Sequence, residues 1–122
     1  MEIEGTITEV LWGTENEPLL NAFILLVILD YITGICVAIR EKKLSSKVGV
    51  KGITLKVLMF VVLSICHILD KILSGESATI QSMTLVFYCS NEVISILENA
   101  SSVGVPLPQK LKDTLSALKK NK

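Results

Sequence analysis

Three apolar stretches of this chain carry ionisable side chains within them. They cover residues 19–39, 53–73 and 78–97. A helix of about 20 residues crosses the ~30 Å hydrocarbon core of a bilayer. An ionisable group at that depth is costly, so it faces protein or water and marks function. The pattern predicts an all-α integral membrane protein with three transmembrane helices.

The composition supports a membrane protein with one compact domain. The 122 residues are 50% hydrophobic, and the 20% that are charged gather at the ends and in one loop. A soluble three-helix bundle is the alternative, but three such apolar stretches leave little amphipathic helix to cover them. The chain divides into an acidic segment at 1–18, a transmembrane domain at 19–100 and a basic tail with a proline-containing link at 101–122.

The charges predict an orientation. Residues 1–18 contain glutamates but neither lysine nor arginine, and the tail is rich in lysine. The first loop holds a basic cluster of Arg40, Lys42, Lys43, Lys47 and Lys51. Because Lys and Arg concentrate in cytoplasmic loops, we expect the N-terminus outside, the turn at 74–77 outside and the C-terminus inside. The charges thus predict a multi-pass protein whose first loop and C-terminus face the cytoplasm.

Both ends of the chain show short amphipathic patterns. Residues 1–12 place apolar side chains at helical spacing and end in Trp12, which fits either an interfacial helix or a frayed acidic end. Residues 109–120 place three leucines on one face and lysines elsewhere, which predicts a helix on the inner membrane surface or a capped soluble tail. The acidic N-terminus does not resemble a signal peptide, so the first span is expected to be retained. The three cysteines all lie within spans and are interpreted as packing residues.

A polar face runs along the third stretch. Its members recur every three or four residues: Gln81, Thr84, Tyr88, Asn91, Glu92 and Ser95. Lipid cannot satisfy these groups, and the helices of one small protomer cover only part of the face. We therefore expect protomers to associate, with this face at their junctions or lining a pore.

Four further residues are candidates for pairing inside the membrane: Asp30, Lys56, His67 and Asp70. Similar depths predict an ion pair between Lys56 and Glu92. Asp30 is expected either to accept from the Tyr88 hydroxyl or to be a neutral acid. His67 and Asp70 lie near the outer edge, where a packing histidine and a carboxylate reaching the interface are expected.

No pattern in the chain indicates catalysis. There is no Ser-His-Asp order, no phosphate-binding glycine loop and no zinc-ligand spacing. We therefore assign no catalytic, cofactor-binding or metal-ligating residue, and we expect neither an enzyme nor a nucleic-acid binder.

Five segments in order resemble the toxin-secretion and phage-lysis holin family. They are D-Y-I-T-G (Asp30–Gly34), K-L-S-S-K-V-G-V-K-G (Lys43–Gly52), H-I-L-D-K (His67–Lys71), N-E-V-I-S-I-L-E-N (Asn91–Asn99) and G-V-P-L-P followed by K-L-K (Gly104–Lys112). The resemblance covers roughly residues 20–115 and omits the acidic N-terminus. It implies a homo-oligomer of the bacterial cytoplasmic membrane that opens lesions there and so releases an endolysin or a large toxin, without catalysis or a cofactor.

Three other functions stay open. A small ion or solute transporter would use Asp30, Lys56 and Glu92 as a relay, but the inverted repeats typical of that class are not visible. A membrane anchor would recruit a cytoplasmic partner through the basic loop and tail. An inhibitory antiholin would share the sequence pattern of a holin.

Overall fold

The computed structural model describes the backbone of residues 2–43, 46–74 and 78–120. Side chains are described for residues 7–43, 49–73 and 78–120, so the predicted outer turn at 74–77 lies outside the described part. That part is all-helical, and its elements in order are α1 (Glu2–Trp12), α2 (Glu17–Glu41), α3 (Ser46–Ser74), α4 (Thr79–Ser102) and α5 (Gln109–Lys120).

Three of these helices are long and apolar enough to span a membrane: α2, residues Gly49–Leu73 of α3, and α4. The prediction of an all-helical chain with three such helices is confirmed. The helices are longer than the apolar stretches that predicted them, because α3 begins at Ser46 and α4 continues to Ser102. Helical geometry needs no apolar side chains, so polar residues extend a helix beyond the bilayer.

Local sequence determines where the helices end. Gly13 adopts a left-handed φ of +73° between α1 and α2, and Pro18 occupies the first turn of α2. At the other end of α2, Lys42 is left-handed and its amide donates to the carbonyl of Ile39. Gly104, with φ +102°, ends α4 before the two prolines of the link.

Helix α4 is the centre of the bundle. Both α2 and α3 pack against it, while α1 packs on α3 and α5 on α4. The core contains the buried side chains of Leu20, Phe23, Leu63 and Leu85. The Phe23 ring lies 5.1 Å from that of Phe60 and 5.7 Å from that of Tyr88, measured between centroids. Tilted contacts between aromatic rings thus join all three long helices.

The outer faces of the long helices are apolar. On α2 they expose Ile24, Leu25, Ile28, Leu29 and Ile32, and α3 shows a similar series. In water such surfaces would be an aggregation hazard, but hydrocarbon is a suitable solvent for them. A bundle that hides polar groups and exposes apolar ones fits a bilayer environment.

Candidate functional site: a charged centre and its groove

Lys56 lies between two carboxylates and joins three helices. Its Nζ is 2.8 Å from Glu92 Oε2 on α4 and 3.1 Å from Asp30 Oδ2 on α2. The Glu92 side chain is 4% exposed, that of Asp30 12% and that of Lys56 25%. We call these three residues the charged centre. Lys56 and Glu92 are the two residues that the sequence paired by depth.

Asp30 has additional neutral partners. Ser95 Oγ donates to Asp30 Oδ1 at 2.6 Å, and Asn99 Nδ2 donates to the same oxygen at 3.3 Å. The Asn99 amide also donates to Thr33 Oγ1 at 3.0 Å. These hydrogen bonds tie α2 to the C-terminal half of α4 beside the charged centre.

The expected hydrogen bond from the Tyr88 hydroxyl to Asp30 is not made. Tyr88 does not lie against Asp30, because that ring packs on Phe23 in the core. Lys56 lies beside Asp30 instead, and the alternative of a neutral acid stays a prediction. The sequence placed Tyr88 and Asp30 at one depth, but helix rotation turned them toward different neighbours.

A groove of about 840 Å³ opens between α2 and α3 beside the charged centre. Its polar lining includes Asp30, Lys43, Lys56, Ser95 and Asn99. Its walls include three glycines: Gly34, Gly49 and Gly52. A Cβ placed on Gly34 or Gly52 would meet no atom within 4 Å. Within the described part of the protomer, no other helix therefore lies against Gly34 or Gly52.

A second polar cluster lies toward the N-terminal end of α4. Gln81 is 2% exposed, and its Nε2 donates to the carbonyl oxygens of Trp12 at 2.9 Å and Leu63 at 3.1 Å. Its Oε1 accepts from Asn16 Nδ2 at 3.0 Å. The Trp12 indole in turn donates to the carbonyl of Phe60 at 3.0 Å. One buried amide therefore ties α1, α3 and the α1–α2 turn to α4.

Asp70 does not reach out to the interface as the sequence suggested. It is 3% exposed, and its two carboxylate oxygens accept from the amides of Ile80 at 2.9 Å and Gln81 at 3.0 Å. These amides belong to the first turn of α4, which has unpaired donors and a positive dipole end. Asp70 therefore acts as an N-cap supplied by a neighbouring helix.

His67 lies against the turn between α1 and α2. A Cβ added at Gly13 would come within 2.8 Å of the imidazole, so the ring is packed on the glycine backbone. Nearby, Lys71 Nζ and Glu15 Oε1 are 3.2 Å apart on the surface. A hydrogen bond from its own backbone amide, with help from Lys71, lowers the pKa of Glu15 below its ordinary value.

The polar face of α4 points mainly into the protomer. Gln81, Glu92 and Ser95 make the contacts above, and Thr84 Oγ1 lies 3.4 Å from Cys66 Sγ. Asn91 differs, because it is partly exposed and has no side-chain hydrogen bond within the part of the chain that the structure describes. The prediction that this face lies at protomer junctions or lines a pore concerns an assembly, so it stays a prediction.

The basic cluster is spread over the first loop and its flanks. Arg40 Nη1 donates to the carbonyl of Val103 at 3.1 Å, which ties the end of α2 to the link after α4. Lys43 lines the groove, whereas Lys42 and Lys51 are exposed. The side chain of Lys47 lies outside the described part. On α5, Lys119 pairs with Glu98 of α4 at 2.6 Å.

Sequence reasoning missed the roles of Trp12 and Asn16. The sequence places Trp12 at the end of an interfacial helix or of a frayed segment, and it gives Asn16 no distinguishing pattern. Their shared contact with Gln81 spans more than sixty residues of sequence, so no local pattern indicates it. The one available signal was Gln81 itself, an amide at membrane depth that needs partners.

Comparisons with known proteins match nearly the whole chain. The model of the bacteriophage holin family matches residues 6–120. An uncharacterised 14.9 kDa protein in the nagH 3′ region of Clostridium perfringens is 38% identical over 97% of this chain and 89% of its own length. An uncharacterised protein of Halalkalibacterium halodurans is 42% identical, over 83% of this chain and 78% of its own. No solved structure was found to match.

Proposed function

The chain belongs to the bacteriophage holin family, and on that premise we propose that it opens lesions in the bacterial cytoplasmic membrane by self-association. The lesions let an endolysin or a large toxin cross, and the cell lyses. The family is a non-enzymatic one, and no catalytic step is part of the proposal.

The observation that carries the proposal is the division of polarity in one protomer. Apolar side chains cover the outside of α2 and α3, so a single copy is stable in lipid. Most polar side chains of α4 are satisfied inside the protomer, but Asn91 has no side-chain hydrogen bond to a described residue, and the groove leaves part of the charged centre accessible. Such a protomer can stay dispersed while dilute and gains polar contacts when copies become dense.

Leakage from proteoliposomes tests this function. The full chain is reconstituted with a small dye and a folded protein of endolysin size, trapped together. We expect both to escape once the protein-to-lipid ratio passes a threshold, because the lesion is an assembly. Retention of both solutes at every ratio would contradict the proposal, and gradient-driven uptake of one solute would favour the transporter.

Expression in bacteria separates the remaining alternatives. A lesion-forming chain collapses the membrane potential at a definite time after induction, and a co-expressed endolysin then lyses the cells. An anchor leaves the potential intact. An antiholin also leaves it intact and delays lysis by another holin, so co-expression with one distinguishes that function.

A further inference from the structure

The groove between α2 and α3 has glycines in its walls and polar side chains on its floor. Gly34 and Gly52 present bare backbone with open space beside it, which allows another helix to approach closely. The floor presents Asp30, Lys56 and Ser95. Acyl chains can fill such a space but cannot pair with its polar floor. The groove therefore favours an occupant that is helical and carries a polar group at the right depth.

Asn91 is a polar residue of α4 that can supply this group. It lies within α4, is partly exposed, and makes no side-chain hydrogen bond to any described residue. Asparagine in a membrane helix hydrogen-bonds across to a neighbouring helix, since lipid offers neither donor nor acceptor. Asn91 does not line the groove of its own protomer.

The depths of these two features match. Asn91 directly precedes Glu92, and the Glu92 carboxylate contacts Lys56 on the floor of the groove. Copies inserted in the same orientation share one depth scale, so Asn91 of one copy stands level with the floor of its neighbour's groove. The charged centre also suits an amide donor such as Asn91. It holds two carboxylates and one ammonium, so it has more hydrogen-bond acceptors than its lysine can satisfy.

We propose that α4 of one copy, through the face bearing Asn91, docks in the α2–α3 groove of the next copy. This proposal rests on the proposed function and specifies the contact by which copies associate. The two surfaces differ, so the contact is head-to-tail. Such a contact repeats from copy to copy and builds a closed ring or an extended array.

Disulfide crosslinking tests the contact. Cys36, Cys66 and Cys89 are replaced by alanine, and Gly34→Cys is combined with Ser102→Cys in the same chain. Ser102 is exposed, lies three turns along α4 on the face that bears Asn91, and is level with Gly34, since Thr33 contacts Asn99. Oxidation in membranes is expected to give a ladder of dimers and higher oligomers. The matched control combines Ser102→Cys with Ile72→Cys, an exposed position near the other end of α3, and is expected to give no ladder.

Several outcomes would overturn the proposal. One is an equal ladder from the control pair, and another is a dimer from Ser102→Cys alone that exceeds the product of the pair. A third is capture of a photoreactive lipid at Gly34→Cys without any crosslink between copies, which would assign the groove to lipid.

A second variant keeps the test independent of cysteine chemistry. Gly34→Leu fills open space in one protomer, so it is expected to leave helix content unchanged while shifting the protein from oligomer to monomer in light scattering. An unchanged oligomer would contradict the proposal. Leakage without the crosslinked ladder would remove this contact and leave the lesion function standing. A crosslinked ladder without leakage would support this contact and contradict the lesion function.

Discussion

Lys56 is the residue on which the polar interior depends. Its ammonium is the one cation within contact distance of both Asp30 and Glu92 in the described structure. Ser95 and Asn99 give Asp30 neutral donors, but they cannot compensate a charge. Removing the lysine would leave two like charges together in a low dielectric, which is more costly than losing either carboxylate.

Lys56→Met is therefore expected to destabilise the bundle strongly. Breaking a buried ion pair by removing one partner costs about 3–5 kcal/mol. Thermal unfolding in mild detergent measures the loss. The triple variant Lys56→Met, Asp30→Asn, Glu92→Gln removes all three charges of the centre. We expect it to recover most of the stability that Lys56→Met alone loses.

Lys51→Met is the matched control, because this lysine is exposed on the same helix. We expect its unfolding temperature to equal that of the parent. If Lys56→Met were as stable as Lys51→Met, the charged centre would not hold the three helices together.

At the scale of the helices, α4 depends on residues that other elements supply. Its first turn donates to Asp70 of α3, and its buried Gln81 is held by Trp12 and Asn16. No side chain of its own caps its N-terminus, where Ala78 precedes the first turn. The position at which α4 begins therefore depends on tertiary contacts as well as on local sequence.

Asp70→Ala is expected to loosen the first turn of α4 without unfolding the bundle. Losing an N-cap acceptor typically costs ~0.5–2 kcal/mol. Hydrogen exchange should become faster at the amides of Ile80 and Gln81 and stay unchanged near Glu92. Ser82→Ala serves as the control, because that hydroxyl donates to the carbonyl of Thr79 in the same turn rather than to Asp70. Equal exchange in both variants would show that Asp70 is not the cap.

At the scale of the whole molecule, charge is separated along the bundle. Glu15 and Glu17 lie at one end with the turn before α2, whereas Arg40, Lys42 and Lys43 lie at the other. The lysine-rich α5 follows the C-terminal end of α4, at the same end as Arg40. An odd number of spans places the two termini on opposite sides, and the positive-inside rule then predicts which side each one occupies.

Thiol labelling measures that orientation. In a background without native cysteines, Thr14→Cys is expected to react with an impermeant maleimide on intact spheroplasts. Lys110→Cys is expected to react only after permeabilisation. Both positions are exposed, so access to the reagent depends on the side of the membrane. The opposite labelling pattern would reverse the predicted topology.

The amino-acid sequence by itself determined the number of long helices, their apolar exteriors and the separation of charge between the two ends. These properties follow from hydrophobic length and from the cost of polar groups in hydrocarbon, and neither depends on how the helices are arranged. The pairing of Lys56 with Glu92 was also accessible, because depth along a helix is a linear function of residue number.

Only the tertiary structure decided which neighbour each polar side chain meets. Periodicity gives the angle of a residue around its own helix axis, but the rotation of one helix relative to another is set by packing. For that reason Asp30 meets Ser95 and Asn99 rather than Tyr88, and Asp70 caps α4 instead of reaching the interface. The groove beside Gly34 is likewise a property of three helices together, which no single stretch of sequence encodes.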